Sequence, residues 1–321
     1  MRLTNAMITN NYLKNLNRNT KELTDLNTKV TAQRKFLKMS DDPAAALAAF
    51  GVRKQLNRID MYNKTLNDSQ GLLNEAETSL STINDTVNEA FTQVMQGITG
   101  TSDEVARKVI AASLRSHQDM ILGAANAKYS SKYIFGGDGF EQMPFTLDGS
   151  GNLQYQGQDV NTGTFGDENR YVDIGLGISI SGSTVTPQSA LNTAYSGAAL
   201  LGTGVDGNGI PNNIYQLIGE IADKLESGDL SNMDLYTEKL EKKSDDIRMQ
   251  YVGIGEKANY ISFFNDRLDR EKIAASTKQN ELEVLGLEEG IMQFSQQELI
   301  YNACLQMGTK ILQPSLLDYL S

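Results

Sequence analysis

Apolar residues recur at Val52, Ile59, Leu66, Leu73, Leu80, Val87 and Val94, each seven positions after the last, with Ala76, Ile83 and Ala90 in companion positions. A seven-residue apolar repeat lays one stripe of a helix against a partner helix. The pattern predicts a helix over about residues 43–97, roughly 80 Å long at about 1.5 Å per residue. Asp42 and Pro43 mark its start, because the carboxylate can accept a free backbone N–H and proline needs none at the first helical position. Gly97 and Gly100 end it. Thr101 and Glu104 then form a capping-box pattern for a second helix, with Val105, Ile110, Leu114 and Ile121 on one side.

A second heptad runs through Leu240, Ile247, Ile254, Ile261, Leu268, Ala275 and Leu282, after a capping pattern from Ser231 to Asp234. The two stripes are natural mates and predict a long antiparallel helical bundle or coiled coil, formed by the N- and C-terminal halves. Shorter apolar patterns occupy both ends. Leu16, Leu23, Val30 and Leu37, with Leu26 beside them, lie near the start. Ile291, Phe294, Leu299, Ala303, Leu305, Met307, Ile311 and Leu312 lie near the end, followed beyond Pro314 by Leu316, Leu317 and Leu320. No large domain is available to bury these end segments, so their apolar faces are expected to be covered by other subunits.

Residues 136–212 differ in kind: they hold sixteen of the 28 glycines and three of the five prolines, and Arg170 is their only basic residue. Alternation at Ile174, Leu176, Ile178 and Ile180, with turn material at 148–152 and 206–209, predicts short antiparallel strands. The fold class read from the sequence is therefore mainly α with a small inserted β-rich domain. Its expected parts are terminal helices at 1–40 and 285–321, loosely ordered in the monomer; a helical rod at 41–137 and 213–284; and the insert at 138–212.

A net charge of −11 argues against nucleic acid and anionic membranes, where clustered Lys and Arg are required, and favours protein partners. The single cysteine excludes an internal disulfide or a four-thiolate metal cluster. No apolar run is long enough to span a bilayer, and the opening Met-Arg-Leu-Thr-Asn-Ala-Met lacks the features of a secretory signal. Export, where it occurs, is expected to use a dedicated machine.

Candidate chemistry is sparse. His117 sits at helical spacing among Ile110, Leu114 and Ile121 and reads as a packed residue, because nothing supplies a nucleophile and an orienting acid. Asp148, Ser150, Asn152 and Asp159 approach calcium-loop spacing, but Leu153 stands where the sharp turn needs glycine, so a hairpin turn is the reading. The pairs Asp41–Asp42, Asp245–Asp246 and Glu288–Glu289 point apart on a helix and read as caps or solvated faces. Cys304 reads as a small buried hydrophobe, and the sequons at Asn63, Asn67 and Asn84 fall on the rod. No catalytic residue, cofactor or metal is expected.

Several segments carry a family resemblance: Met1-Arg-Leu3, Ser40-Asp-Asp-Pro-Ala44 at the head of the long helix, Tyr133-Ile-Phe-Gly-Gly137, and the tail from Ile311 to Leu320. Over roughly 1–137 and 213–321 the chain resembles the flagellins and hook-associated proteins of the bacterial flagellum. Asp-Asp-Pro-Ala-Ala and the Tyr-Ile-Phe-Gly-Gly segment are similar to its hook–filament junction branch rather than to filament flagellins. Where the family often carries Ser-Gly-Lys/Arg, this chain has Thr31-Ala-Gln-Arg34. The resemblance implies a non-enzymatic, extracellular adaptor exported unfolded through the flagellar type III apparatus with a chaperone, and a ring of copies joining hook-associated protein 1 to flagellin. A filament flagellin is the alternative. On this reading the assembly interface includes Leu16, Leu23, Leu26, Val30, Leu299, Leu305, Ile311, Leu312, Leu316 and Leu317. The rod core includes Val52, Ile59, Leu66, Leu73, Leu80, Val87, Leu240, Ile247, Ile261 and Leu268.

Overall fold

The computed structural model describes residues 5–99, 103–149, 151–166, 168–181, 184–186 and 190–311. Helices α1 (Asn5–Ala32), α2 (Pro43–Ile98) and α3 (Glu104–Ala125) come first. The hairpin β1 (Lys128–Tyr129) and β2 (Lys132–Tyr133) follows, then β3 (Phe145–Leu147), β4 (Leu153–Tyr155), β5 (Gln158–Asp159), β6 (Tyr171–Asp173), β7 (Ile180–Ser181), β8 (Thr184–Val185) and β9 (Ala190–Asn192). Helices α4 (Gly197–Leu201), α5 (Ile214–Ser227), α6 (Met233–Glu283) and α7 (Leu287–Ile311) complete the chain. The architecture is mainly α, with long helices packed on one another and a small insert of short antiparallel sheets, as the heptads and the glycine-rich middle predict. The chain forms two compact units, residues 60–269 and residues 1–59 with 270–321.

In the unit spanning 60–269, α2 and α6 run antiparallel. Asn88 bonds Ser244, Glu77 bonds Tyr251, Asn67 bonds Asn265 and Asn63 bonds Asp269, so α6 numbers rise as α2 numbers fall. Along this seam Leu66, Leu73, Leu80, Val87 and Val94 of α2 are buried, as are Leu240, Ile247, Ile254, Ile261 and Leu268 of α6. Asn63 and Asn67, each in a sequon, are thus occupied in helix pairing. Gly97 admits Leu225 of α5 and Ile110 of α3, and Gly219 of α5 admits Gln118, whose amide donates to the Tyr215 carbonyl at 2.7 Å.

Asp42 caps α2 as expected, its carboxylate accepting the Ala45 N–H at 3.0 Å ahead of Pro43. The expected start of α3 needs correction. Asp103, not Thr101, is its cap, accepting the Ala106 N–H at 2.7 Å, and Thr101 lies outside the described residues. Val105 is 69 % exposed rather than on the packed face. It stands nine residues before Leu114, two and a half turns, which puts it on the opposite side. The buried face is Ala111, Leu114, His117, Gln118, Ile121 and Ala125.

In the insert, β3, β4 and β5 form one antiparallel sheet, while β6 pairs with β9 and β7 with β8. β3 and β4 pair antiparallel, and between them the Asn152 N–H donates to Asp148 Oδ1 at 2.8 Å; Ser150 lies outside the described residues. Of the alternation at 174–180, only Ile180 reaches a strand, as the first residue of β7. Ile174 is buried but Leu176, Ile178 and Ile180 are exposed, because Gly175 (φ +91°) and Gly177 (φ +80°) turn the backbone out of a pleat. Strand pairing also begins earlier than expected, at residue 128. Tyr133-Ile-Phe-Gly-Gly137 is buried throughout. The Phe135 carbonyl accepts from Tyr155 Oη and the Gly197 N–H, and a side chain at Gly137 (φ +54°) would collide with the Glu168 carboxylate.

Leu66 is fully enclosed, so Leu66→Ala is expected to lower stability by about 2–5 kcal/mol in urea denaturation. An unchanged midpoint would contradict its place in the seam.

Candidate assembly surface

In the unit formed by 1–59 and 270–321, α1 and α7 lie antiparallel. Tyr12 seats against Gly308, Gln297 donates to Glu22 at 3.2 Å, and Val30 reaches Gly290. Both glycines are interior helix residues, which cost helix stability, and both are explained by close approach. A Cβ at Gly308 would collide with the Tyr12 hydroxyl, and one at Gly290 would stand 3.1 Å from Val30 Cγ2. Eighteen residues separate them, five full turns, so they share one face of α7 with the half-buried Gln297, Tyr301 and Cys304. Leu299, two and a half turns before Gly308, points the opposite way and is 71 % exposed.

The sequence-derived interface residues divide accordingly. Leu16, Leu23, Leu26 and Val30 are half-buried along α1. Leu299 and Leu305 are exposed on α7, Ile311 closes that helix, and Leu312, Leu316 and Leu317 lie outside the described residues. Ile8 and Leu13 of α1 and Ile291, Ile300 and Met307 of α7 are exposed as well, while Tyr12 is buried. Of the rod-core positions, Ile59 and Ala275 are buried, whereas Val52 and Leu282 are half-buried.

The linkers joining these helices to α2 and α6 are bonded to each other. The Lys35 N–H donates to the Glu283 carbonyl at 2.8 Å, the Leu285 N–H donates to the Gln33 carbonyl at 3.1 Å, and Arg34 bridges Val284. Lys35 Nζ adds a bond to the Glu281 carbonyl at 2.7 Å. Arg53 of α2 grips the Glu283 carboxylate through Nε and one Nη, at 2.7 and 2.5 Å. Glu283 is 6 % exposed, and its carboxyl is held below its ordinary value chiefly by Arg53. The adjacent Asp41 and Asp42 do separate work. Asp41 accepts the Leu37 and Lys38 N–H groups, which hold its carboxyl low, while Asp42 caps α2. None of the linker pairing has a signal in the heptads. The interior glycines Gly290 and Gly308 were the readable hint of a close helix pair.

The other candidates are dispersed. His117 is buried in α3, with no hydrogen-bond partner at either ring nitrogen among the described residues. Cys304 is half-buried rather than enclosed, a consequence of packing α7 on one side only. Asp245 and Asp246 pair separately with Arg248 and Lys243, and Glu288 and Glu289 are exposed in the first turn of α7. No cluster of metal-binding side chains occurs among the described residues. No helix among them is long and apolar enough to cross a membrane.

Gln33 has φ +53°, a left-handed conformation that suits glycine, at the segment where the resembling family often carries Ser-Gly. Gln33→Gly is expected to be tolerated, while Gln33→Val should lose about 1–2 kcal/mol in chemical denaturation, since a β-branched residue resists positive φ. Equal losses for both would contradict the strain. Because the Glu283 carboxyl is lowered on folding, its contribution is complete above its ordinary value of 4.5 and disappears as pH falls through the lowered value. Glu283→Gln should therefore be less stable than the parent at pH 7, with the gap closing toward pH 3. A pH-independent gap would exclude the ionised pair as its source.

The profile of the bacterial flagellin N-terminal helical region matches residues 3–139. No curated protein sequence matches significantly. The fold is similar to that of a flagellar hook-associated protein from Vibrio parahaemolyticus, at TM-score 0.62 and 16 % identity, covering 76 % of this chain and 100 % of that one. FlgL from Bacillus cereus matches at TM-score 0.54 and 19 % identity, covering 72 % and 99 %. The flagellar junction protein FlgL from Legionella pneumophila matches at TM-score 0.55 and 11 % identity, covering 74 % and 100 %. Residues 3–139 of this chain thus match the bacterial flagellin N-terminal helical region, and the chain shares its fold with solved flagellar hook-associated proteins.

Proposed function

We propose that the chain is a structural adaptor of the bacterial flagellum, placed at the hook–filament junction. It joins hook-associated protein 1 below to flagellin above, as a ring of copies outside the cell. The observation that carries this reading is the apolar surface left open by the α1–α7 pair, above all Leu299 facing away from α1. The flagellin N-terminal match and the hook-associated fold support the same role. In this reading the segments 1–40 and 285–321 order fully only on docking, when neighbouring subunits cover Leu16, Leu23, Leu299, Leu305 and the tail beyond Ile311. Export is in an unfolded form through the flagellar apparatus, with a chaperone covering the C-terminal helix; open apolar faces on a prematurely folded chain favour aggregation.

Deleting the gene is expected to leave bare hooks while unassembled flagellin accumulates in the medium. Loss of the main secreted subunit itself would instead make the chain a filament flagellin. Complementation with Leu299→Asp plus Leu305→Asp should leave the melting temperature within a few degrees of the parent, since both residues are exposed, yet fail to restore filaments. Full restoration would remove α7 from the assembly surface.

A further inference from the structure

A cleft of about 350 Å³ opens in the unit spanning 60–269, between α2, the β1–β2 hairpin and the β6–β9 pair. Two cations face one aromatic ring there. Lys132 Nζ lies 4.7 Å and the Arg170 guanidinium carbon 5.4 Å from the centre of the Phe140 ring, and all three residues line the cleft. Neither cation is in an ion pair among the described residues, in a chain of net charge −11. Asp138 acts on Arg170 only through space, and Asp68 is the one carboxylate in the lining.

Arg170 is fixed in place. Its Nε donates to Thr193 Oγ1 at 3.1 Å and one Nη donates to the Thr193 carbonyl at 3.0 Å, while Thr193 returns its own N–H to the Arg170 carbonyl at 2.8 Å. A guanidinium has five N–H donors, so this arrangement leaves others for a ligand without further ordering of the side chain. Burial lowers the Arg170 pKa, a cost that a bound anion would offset.

We infer that this cleft binds a single carboxylate borne on a small apolar body. Lys132 and Arg170, against Asp68 in the lining and Asp138 acting on Arg170 through space, leave little net positive charge, which disfavours a phosphate dianion more than a monocarboxylate. The volume lies at the small end of ligand sites, and Leu72, Tyr129, Phe140 and Val172 supply apolar wall for the carbon skeleton. An acidic side chain from a second copy and a free carboxylic acid share this chemistry.

The test follows the Arg170 Nε–H resonance of the full-length chain by NMR during titration with propionate, with inorganic phosphate and chloride at matched ionic strength. Propionate should shift the resonance saturably, with half-saturation about tenfold below that of phosphate. Lys132→Gln, an exposed position, should raise the propionate half-saturation about tenfold while leaving the melting curve unchanged. Identical non-saturating shifts with all three salts, or parental saturation in Lys132→Gln, would overturn the site. Dilution without propionate separates the two sources once saturation is seen. A concentration-dependent Arg170 shift that propionate abolishes assigns the carboxylate to a second copy, and a concentration-independent resonance assigns it to a free acid.

Discussion

Burial of the apolar stripe between α2 and α6 is the constraint on which the fold depends. A single helix of this length has no means of covering one face, and its ordering entropy offsets much of what burial contributes. Pairing Leu66, Leu73, Leu80 and Val87 with Leu240, Ile247, Ile261 and Leu268 resolves both problems in antiparallel orientation. Antiparallel orientation also dictates what comes next in the chain. The start of α2 and the end of α6 return to the same unit, where the linkers at 33–35 and 283–285 bond to each other and α1 meets α7. The Arg53–Glu283 pair closes that joint from the helix side. An almost enclosed carboxylate would be expensive there without a bidentate partner.

What could be read from the sequence follows from periodicity. Seven-residue spacing is a property of one helix, and its buried positions were visible from Ile59 to Val94 and from Leu240 to Ala275. Asp42 and Pro43 were equally legible, because a cap is a local interaction. Failures arose where local pattern competed with a second rule. Thr101 and Glu104 have capping-box spacing, yet Asp103 stands closer to the helix and supplies the acceptor. Val105 is apolar but out of phase with Leu114. Ile174 to Ile180 alternate as a strand should, but two glycines with positive φ take the backbone elsewhere. The linker-to-linker bonds lay beyond reach, since they are main-chain contacts between segments about 250 residues apart and leave no composition behind.

The segment Tyr133–Gly137 shows how a short motif can combine several demands. It ends the matched flagellin region, fills the insert's core with Tyr133, Ile134 and Phe135, and gives its carbonyls to Tyr155, Gln156 and Gly197. Gly137 admits the Glu168 carboxylate, which also accepts from Tyr155 Oη and Gln156 Nε2. Burial of the Tyr155 hydroxyl pushes its pKa up and favours the neutral donor that this arrangement needs. A residue type chosen for space and another chosen for backbone conformation therefore serve one hydrogen-bonded core.

In the α1–α7 pair, α7 inverts the usual distribution of side-chain size in a helical hairpin. An isolated hairpin gains stability by turning its largest apolar groups inward. Here the inward line of α7 carries Gly290 and Gly308, while Leu299 stands opposite them and Ile291 and Met307 are also exposed. Glycines in the contact let the two backbones approach closely, but they contribute little apolar burial between the helices. That choice makes poor sense for a free monomer. It is coherent for helices that meet further neighbours on their outer faces, because large side chains displayed outward gain their burial only when those neighbours arrive.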